Sequence, residues 1–471
     1  MAAIVSGKAM TAVAGLLTLV VLTRHLGPTQ FGYYRTVLTY CAFAAVLADC
    51  GLYMINLREM SRPGADPRQV AGNALALRLV STGGMLLAAA AVAWTTPYDL
   101  TVKWGVLIGA AIYTCLQASD FLVSVFQSVL KQGRNAVAEV IGALATLAGV
   151  WALATTRAGA LPMLGATLLG AALALGISWR LAHRLVPLRP SFDFSLWRRF
   201  LVAGLPIAGA QILGMAMLRG DSLLLSLYQP AADVGLYGVP SKLFEVATSI
   251  PFQFAGLMMP AMTAALRSGP QEFTRTLRNA VDVGAVYGVG AILALSFFAP
   301  QILTLMAGGE FAAGAPALMI IAFAIALAGM THILRFALVA CERQRLVLVG
   351  DSIACGCAFV AYFALIPRYS FVGAAIGTVV AEVVALVCML CGLKWAERPL
   401  PSLVNPAKAV LSGAVAAAGM AALTRCELPW LLTLIIGGGV YLAGLALTRA
   451  IPRELLLKVL RRRGVAYQGS A

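Results

Sequence analysis

Stretches of about 20 mostly apolar residues recur along this chain, and a helix needs about that many to cross ~30 Å of hydrocarbon. Fourteen can be read: 7–25, 36–57, 72–96, 103–129, 135–156, 160–182, 200–227, 235–263, 278–301, 312–340, 346–367, 371–393, 404–424 and 430–450. No other feature constrains the fold so tightly, because hydrocarbon offers backbone N–H and C=O groups no partner outside the segment itself. Composition agrees. Of 471 residues 61% are apolar and 11% charged, against roughly 25% charged in a soluble domain. The expected class is all-α, a polytopic membrane protein with about 14 transmembrane helices.

The formal charge of +16 could suggest nucleic acid, but the basic residues form no single stripe or arm. They cluster between apolar runs, as topology determinants do, so no nucleic-acid partner is expected. With the N-terminus in the cytoplasm, the 35 Lys and Arg sort cleanly. Seven lie outside or at the outer edge (Arg24, Arg35, Lys103, Arg157, Lys242, Arg368, Arg425) and three within spans (Arg78, Arg219, Arg335). The other 25 are cytoplasmic, which predicts that both termini are cytoplasmic as well. "MAAIVSGKAMTAVAGLLTLVVLTRHLG" has Lys8 before an apolar run but no A-x-A cleavage region, and reads as the first helix. Eight of the nine cysteines lie in apolar segments, with Cys426 in a loop. Cys388-x-x-Cys391 has metal-ligand spacing, yet no second pair or nearby His completes a site.

The chain repeats itself weakly. "LGPTQFGYYRTVL" parallels "YQPAADVGLYGVPSKL", aligning Gly32 with Gly235 at an offset of 203, and a later block aligns Arg134 with Arg343 at 209. Such self-similarity in a membrane protein is a transporter signature. It predicts two parallel six-helix repeats forming a V-shaped central cavity, plus two C-terminal helices. The expected divisions are an N-lobe at 1–182, a basic cytoplasmic interlobe connection at 183–199 and a C-lobe at 200–393. Helices 13 and 14 follow at 394–450, then a basic cytoplasmic tail at 451–471. With Trp197 and its arginines, the interlobe connection is expected to lie along the inner leaflet. The pairs Gly105/Gly109, Gly284/Gly288 and Gly373/Gly377 have the small-xxx-small spacing that lets helices approach closely. Pro206, Pro240, Pro251 and Pro260 are expected to kink or tilt their spans.

Several blocks, in order, carry a family resemblance: "TRHLGPTQFGYYRTVLTYCAFAAVLADCGLYMINLREMSR", "RGDSLLLSLYQPAADVGLYGVPSKLFE", "GGEFAAGAPALMIIAF" and "LVACERQRLVLVGDSIACGCAFVAYFALIPRYSFVGAAIGTVVAE". Over residues 5–395 the chain resembles bacterial oligosaccharide flippases of the Wzx type, in the multidrug/oligosaccharidyl-lipid/polysaccharide (MOP) exporter superfamily. "FALIPRYSFVGAA" departs from relatives that carry an asparagine pair before the LIP. The resemblance implies alternating-access transport of a polyprenyl-pyrophosphate-linked oligosaccharide from the cytoplasmic to the periplasmic leaflet of the bacterial inner membrane. Polysaccharide polymerase machinery is the further partner it implies.

Charges inside spans are the candidate functional residues. On that reading Lys242 contacts pyrophosphate, or else pairs with Glu245 three residues on. Arg24, which matches a position where the family often has a cation, adds a phosphate fork or snorkels to headgroups. Arg35, Arg78, Arg219 and Arg335 are further cavity candidates; Arg219 alternatively pairs with Asp221, and Arg78 and Arg335 alternatively snorkel. Asp49, Asp120, Glu382 and Glu245 are candidates to bind H⁺ or Na⁺ and drive exchange, or to partner the arginines. No phosphate-binding glycine loop, Ser/His/Asp set or metal cluster is present in the sequence, so no cofactor and no enzyme activity are expected. The alternatives are a cation-coupled drug or metabolite antiporter on the same fold, and a membrane glycosyltransferase or polymerase, which would need large outer loops.

Overall fold

The computed structural model describes residues 2–60, 62, 66–128, 132–185, 190–426 and 428–450. The basic tail, 451–471, and part of the interlobe connection, 186–189, lie outside the described residues. Every element among the described residues is helical. Among the described residues twelve helices are long and apolar enough to cross a membrane. Two of these are double. Helix α1 (Ala2–Asp49) turns at Gly27, with φ 66° and ψ 176°. Its 44-residue apolar part would span ~66 Å as one rod, twice what a bilayer needs. The 52-residue helix Gln344–Trp395 turns likewise at Ser370, φ 51° and ψ −132°. Counting each as two crossings recovers the fourteen apolar segments of the sequence.

Contacts divide the chain into two compact units, Met1–Gly238 with Met306–Phe311, and Val239–Leu305 with Ala312–Ala471. In the first, α1 is followed by a short α2 (Leu52–Met60), then α3 (Pro67–Thr95), α4 (Leu100–Ser128), α5 (Gln132–Ala154), α6 (Ala160–His183), α7 (Phe194–Tyr228) and the opening turns of α8 (Ala231–Ser268). The second unit holds the rest of α8 with α9 (Pro270–Phe297), α10 (Ala299–Ala307), α11 (Ala315–Ala340), α12 (Gln344–Trp395), α13 (Val404–Arg425) and α14 (Trp430–Leu447).

Several boundaries differ from expectation. The second crossing runs over 28–49 rather than 36–57, because the Gly27 turn takes a single residue and Pro28 restarts the helix at once. The prolines at 206, 240, 251 and 260 lie inside helices with no residue recorded outside helical φ/ψ; the breaks fall at Gly27 and Ser370. Within the stretch 183–199 expected to join the lobes, Phe194–Arg199 form the first turns of α7. Asp193 caps that helix, accepting from the N–H groups of Ser195 (3.0 Å) and Leu196 (3.2 Å). Its own N–H donates to Asn73 Oδ1 on α3 at 2.7 Å.

Close approach follows the glycines. A Cβ at Gly105 would sit 2.6 Å from Val37 Cγ2, and one at Gly109 2.8 Å from Cys41 Sγ, so α4 presses on the second half of α1. Gly284 and Gly288 admit α11 (Ile333 and Ala326) to α9, and Gly373 and Gly377 admit Leu365 and Tyr362 across the turn of α12. All three spacings mark real seams. The tightest seam joins the repeat-related stretches. A Cβ at Gly32 would lie 1.7 Å from the carbonyl oxygen of Ala231, and one at Gly235 1.9 Å from that of Pro28. The offset of 203 relates Pro28 to Ala231 and Gly32 to Gly235, so the two contacts are images of each other. Arg35 lays its Cγ against Gly238, its own repeat counterpart.

At the far end of the first unit, Glu59 of α2 is buried among Arg58 (2.9 Å), Arg62 (3.3 Å) and Arg199 of α7 (3.0 Å). Burial pushes its carboxyl up, but the Arg58 hydrogen bond and the Arg199 and Arg62 charges outweigh this and hold it below the ordinary carboxylate range. A depressed folded-state pKa contributes stability above the unfolded value that is lost as pH falls through the folded one. Hydrogen exchange in α2 should therefore stay slow at neutral pH and accelerate as pH drops below about 4, and Glu59→Gln should give the fast exchange at all pH values. Exchange independent of both would remove this role.

Candidate functional site

The first unit holds an ion pair deep inside. Asp49, where α1 ends, meets Arg78 of α3 at 2.8 Å, with side chains 5% and 4% exposed. Arg78 also donates to Gln117 Oε1 of α4, and Gln117 Nε2 donates to the Ala45 carbonyl at 2.7 Å. The pair opens on a cavity of about 450 Å³, lined also by Tyr53, Gln117, Asp120 and Gln211. Tyr53 is fixed by donating to Gln127 Oε1 at 2.8 Å, and Gln211 Oε1 is buried without a hydrogen-bond partner. Asp49 and Gln117 thus hold Arg78 inside the protein, where an unmatched charge would be costly. With two carboxylates against one guanidinium, the cavity suits a cation and repels a phosphate.

A second group gathers at α1, α4, α7 and α8. Asp221 is buried and accepts from the Tyr237 hydroxyl at 2.6 Å and from Ser222 N–H at 2.5 Å. Arg35 lies close enough to act on Asp221, and Arg35 and Arg219 both act on Tyr113. The alternative offered for Arg219, a pair with Asp221, is not the one formed: Asp221 takes the Tyr237 hydroxyl instead. Residues two apart on a helix do not face each other, and here Asp221 is buried while Arg219 is partly exposed. Arg24 is exposed, its Cγ 4.0 Å from where a Gly308 Cβ would stand.

In the second unit, Arg335 of α11 pairs with Asp351 of α12 at 2.7 Å and reaches His332 Nδ1 at 2.8 Å. A guanidinium only donates, so Nδ1 accepts and that histidine is neutral, with its proton on Nε2. Asp351 thus holds Arg335, and Glu382 lies beside it, within reach of Thr331 and Asp351. The Phe252 ring stands edge-on to His332 at 5.4 Å. Lys242 pairs with Glu245 at 3.0 Å, both about one-third exposed, so the same-helix alternative is the one realised. Helix α8 starts at Ala231, which puts Lys242 eleven residues into it rather than the seven that a span beginning at 235 implies.

Structure thus brings Asp49, Arg78 and Asp120 together, and separately Arg335 and Glu382. Sequence reading missed Gln117, Tyr53, Tyr237, Asp351 and His332. Of these, His332 carried a local signal, three residues before Arg335, and so did Asp351, a charge inside the apolar run 346–367. Among the described residues no group of three or more His, Cys, Asp or Glu side chains comes together as a metal site.

The fold is similar to that of the lipid II flippase MurJ in an inward closed conformation. The TM-score is 0.80 at 12% identity, covering 97% of this chain and all of that one. An inward-facing multidrug resistance MATE family transporter of the MOP superfamily is similar at TM-score 0.64 and 14% identity, over 82% of this chain and 94% of that one. A MOP superfamily transporter from Pyrococcus furiosus is similar at 0.51 and 15% identity, over 84% and 94%. No curated protein sequence matches. The sequence profile of the family described as "Polysaccharide biosynthesis protein" matches residues 1–266, so the chain belongs to the polysaccharide biosynthesis protein family, on the fold of MOP-superfamily transporters.

Proposed function

We propose that the protein is a Wzx-type flippase, moving a polyprenyl-pyrophosphate-linked oligosaccharide to the outer leaflet of the bacterial inner membrane for surface polysaccharide synthesis. The observation that carries this reading is the family match over 1–266 joined to a likeness to a lipid-carrier flippase over 97% of the chain. The MATE likeness is weaker and shorter. On this reading the protein is a transporter and not an enzyme, and polysaccharide polymerase machinery takes its product. Arg24, Arg35 and Arg219 in the first unit, and separately Lys242 in the second, are the proposed pyrophosphate contacts; Arg78 and Arg335 are held by Asp49 and Asp351, and Lys242 would exchange Glu245 for phosphate. The Asp49–Arg78–Asp120 cavity, with its excess of negative charge, is the proposed H⁺ or Na⁺ site, and Glu382 beside Arg335 a second. That cavity is also what favours the alternative, a cation-coupled antiporter.

Deleting the gene tests between them. Lipid-linked repeat units should accumulate at the inner leaflet; unchanged glycan export would remove the flippase reading. Lys242 is tested separately. Because Glu245 already neutralises it in an exposed pair, a pair of that kind contributes about 0–1 kcal/mol, and Lys242→Ala should leave the fold intact. Transport should fall about tenfold, the equivalent of 1.4 kcal/mol of lost phosphate contact, with Lys242→Arg restoring most of it. Full activity of Lys242→Ala would assign the lysine to the helix pair alone.

A further inference from the structure

At the end of the first unit where α3 meets α4 and α7 meets α8 there is a second hollow, of about 430 Å³. Ligand pockets commonly run to roughly 300–1,000 Å³. Its walls include Tyr33, Tyr98, Asp99, Tyr228 and Gln229, with Ser226 between them. No lysine or arginine lines it. Aromatic side chains do collect at membrane surfaces in general, but here three tyrosines from three separate segments converge on one concavity.

The wall is built and rigid. Tyr98 is held edge-on by the Tyr40 ring at 6.2 Å, and its hydroxyl is 2.9 Å from Ser226 Oγ. Ser226 spends its single proton on the Leu223 carbonyl, 2.7 Å away, so Tyr98 is the donor there and keeps lone pairs free to accept. Asp99 is anchored by the Thr101 N–H at 2.7 Å. That backbone bond, with a second from the Thr101 side chain, holds its carboxyl below the usual range, so it stays an acceptor at working pH. The hollow therefore offers apolar ring faces edged by oxygen acceptors, and one fixed negative charge.

We propose that this hollow is a saccharide-binding site, taking a neutral sugar unit whose ring face lies on tyrosine and whose hydroxyls donate to Asp99, Tyr98 and Gln229. A phosphate would meet Asp99 with no cation in the lining to offset it, whereas a polyol presents hydroxyl donors that suit the remaining lone pairs of Asp99 and Tyr98. The assignment rests on the flippase reading, which puts a glycan at this end of the molecule in the expected orientation. It also ties binding to conformation. Tyr33 and Thr36 on one side, and Ala231 and Val234 on the other, flank the Gly32–Gly235 seam, so the hollow keeps its shape only while that seam is closed.

The test is saturation-transfer NMR on the purified full chain in lipid nanodiscs, with a panel of neutral disaccharides built from gluco-, galacto- and manno-configured rings. At least one should give a saturable signal that Tyr228→Leu and Asp99→Asn each weaken tenfold or more, and that inorganic pyrophosphate leaves unchanged. Both residues are exposed, and an unchanged thermal midpoint verifies that the variants fold. The proposal is overturned if no disaccharide gives a saturable signal, if the signal survives both substitutions, or if tetramethylammonium occupies the hollow and the sugars do not. Accumulation of lipid-linked units in the deletion strain is read independently. Lost sugar binding with flipping intact would sink this site alone, and sugar binding without flipping would sink the transport reading instead.

Discussion

Replacing either Gly32 or Gly235 with alanine is expected to reduce transport by an order of magnitude or more, although neither residue has a side chain to lose. The added carbon would stand 1.7 Å from the Ala231 carbonyl oxygen in one case and 1.9 Å from that of Pro28 in the other. Contact distances are roughly 3.5 Å, so the two backbones would have to part by about 1.6–1.8 Å, and a carbonyl cannot swing aside as a side-chain tip can. Overpacking of this kind costs about 1–3 kcal/mol, a shift of roughly 5- to 150-fold between states with the seam closed and open. The clash acts only on states that bring the stretches together, so folding should survive while the cycle stalls. A membrane-impermeant maleimide reports on this directly. In a cysteine-free background, a probe at Thr29→Cys should label faster when Gly32→Ala or Gly235→Ala is added. Gly83→Ala is the control, since nothing lies within 4 Å of the carbon it would add. Native transport and labelling in both seam variants would show that the chain never needs this contact.

The second large effect is on stability. Arg78→Met should lower the unfolding free energy by about 3–5 kcal/mol, because it leaves the Asp49 carboxylate buried without its partner. Removing both charges with Asp49→Leu and Arg78→Met together should recover most of that loss, since apolar residues of similar volume replace a buried pair at little net cost. Thermal unfolding in one detergent measures both. If Arg78→Met alone melts with the native protein, the pair does not hold α1 to α3 as described. Transport separates stability from coupling. The double variant should be folded yet slow, because it changes the charge facing Asp120 in the same cavity.

How much of this the sequence revealed depended on whether the signal was local. Span count, glycine seams and the Gly32–Gly235 correspondence are properties of composition and spacing, and they were legible. The start of the second crossing was not, because "GPTQ" looks like a polar loop and only the positive φ of Gly27 lets a single residue reverse the chain. The site was half legible. A charge in an apolar run marks itself, so Asp49, Arg78, Arg335 and Glu382 were all identified as candidates. Which of them pair was not legible, because Asp49 and Arg78 meet across separate helices and Gln117 is an unremarkable amide until Arg78 reaches it. Arg219 and Asp221 show the converse: nearness in sequence made a pair one of the two readings, and helical rotation turns them to different surroundings.

The seam near Pro28 has a further consequence. Pro28 and Gly32 sit one turn apart on a single helix, and each is met by the other's repeat counterpart, Ala231 by Gly32 and Gly235 by Pro28. That is the pattern of an isologous interface, a patch that fits a half-turned copy of itself, here drawn within one polypeptide. One ancestral-length half therefore already displays both the knob and the notch, and the joint calls for no residue type that a solitary six-span body lacks.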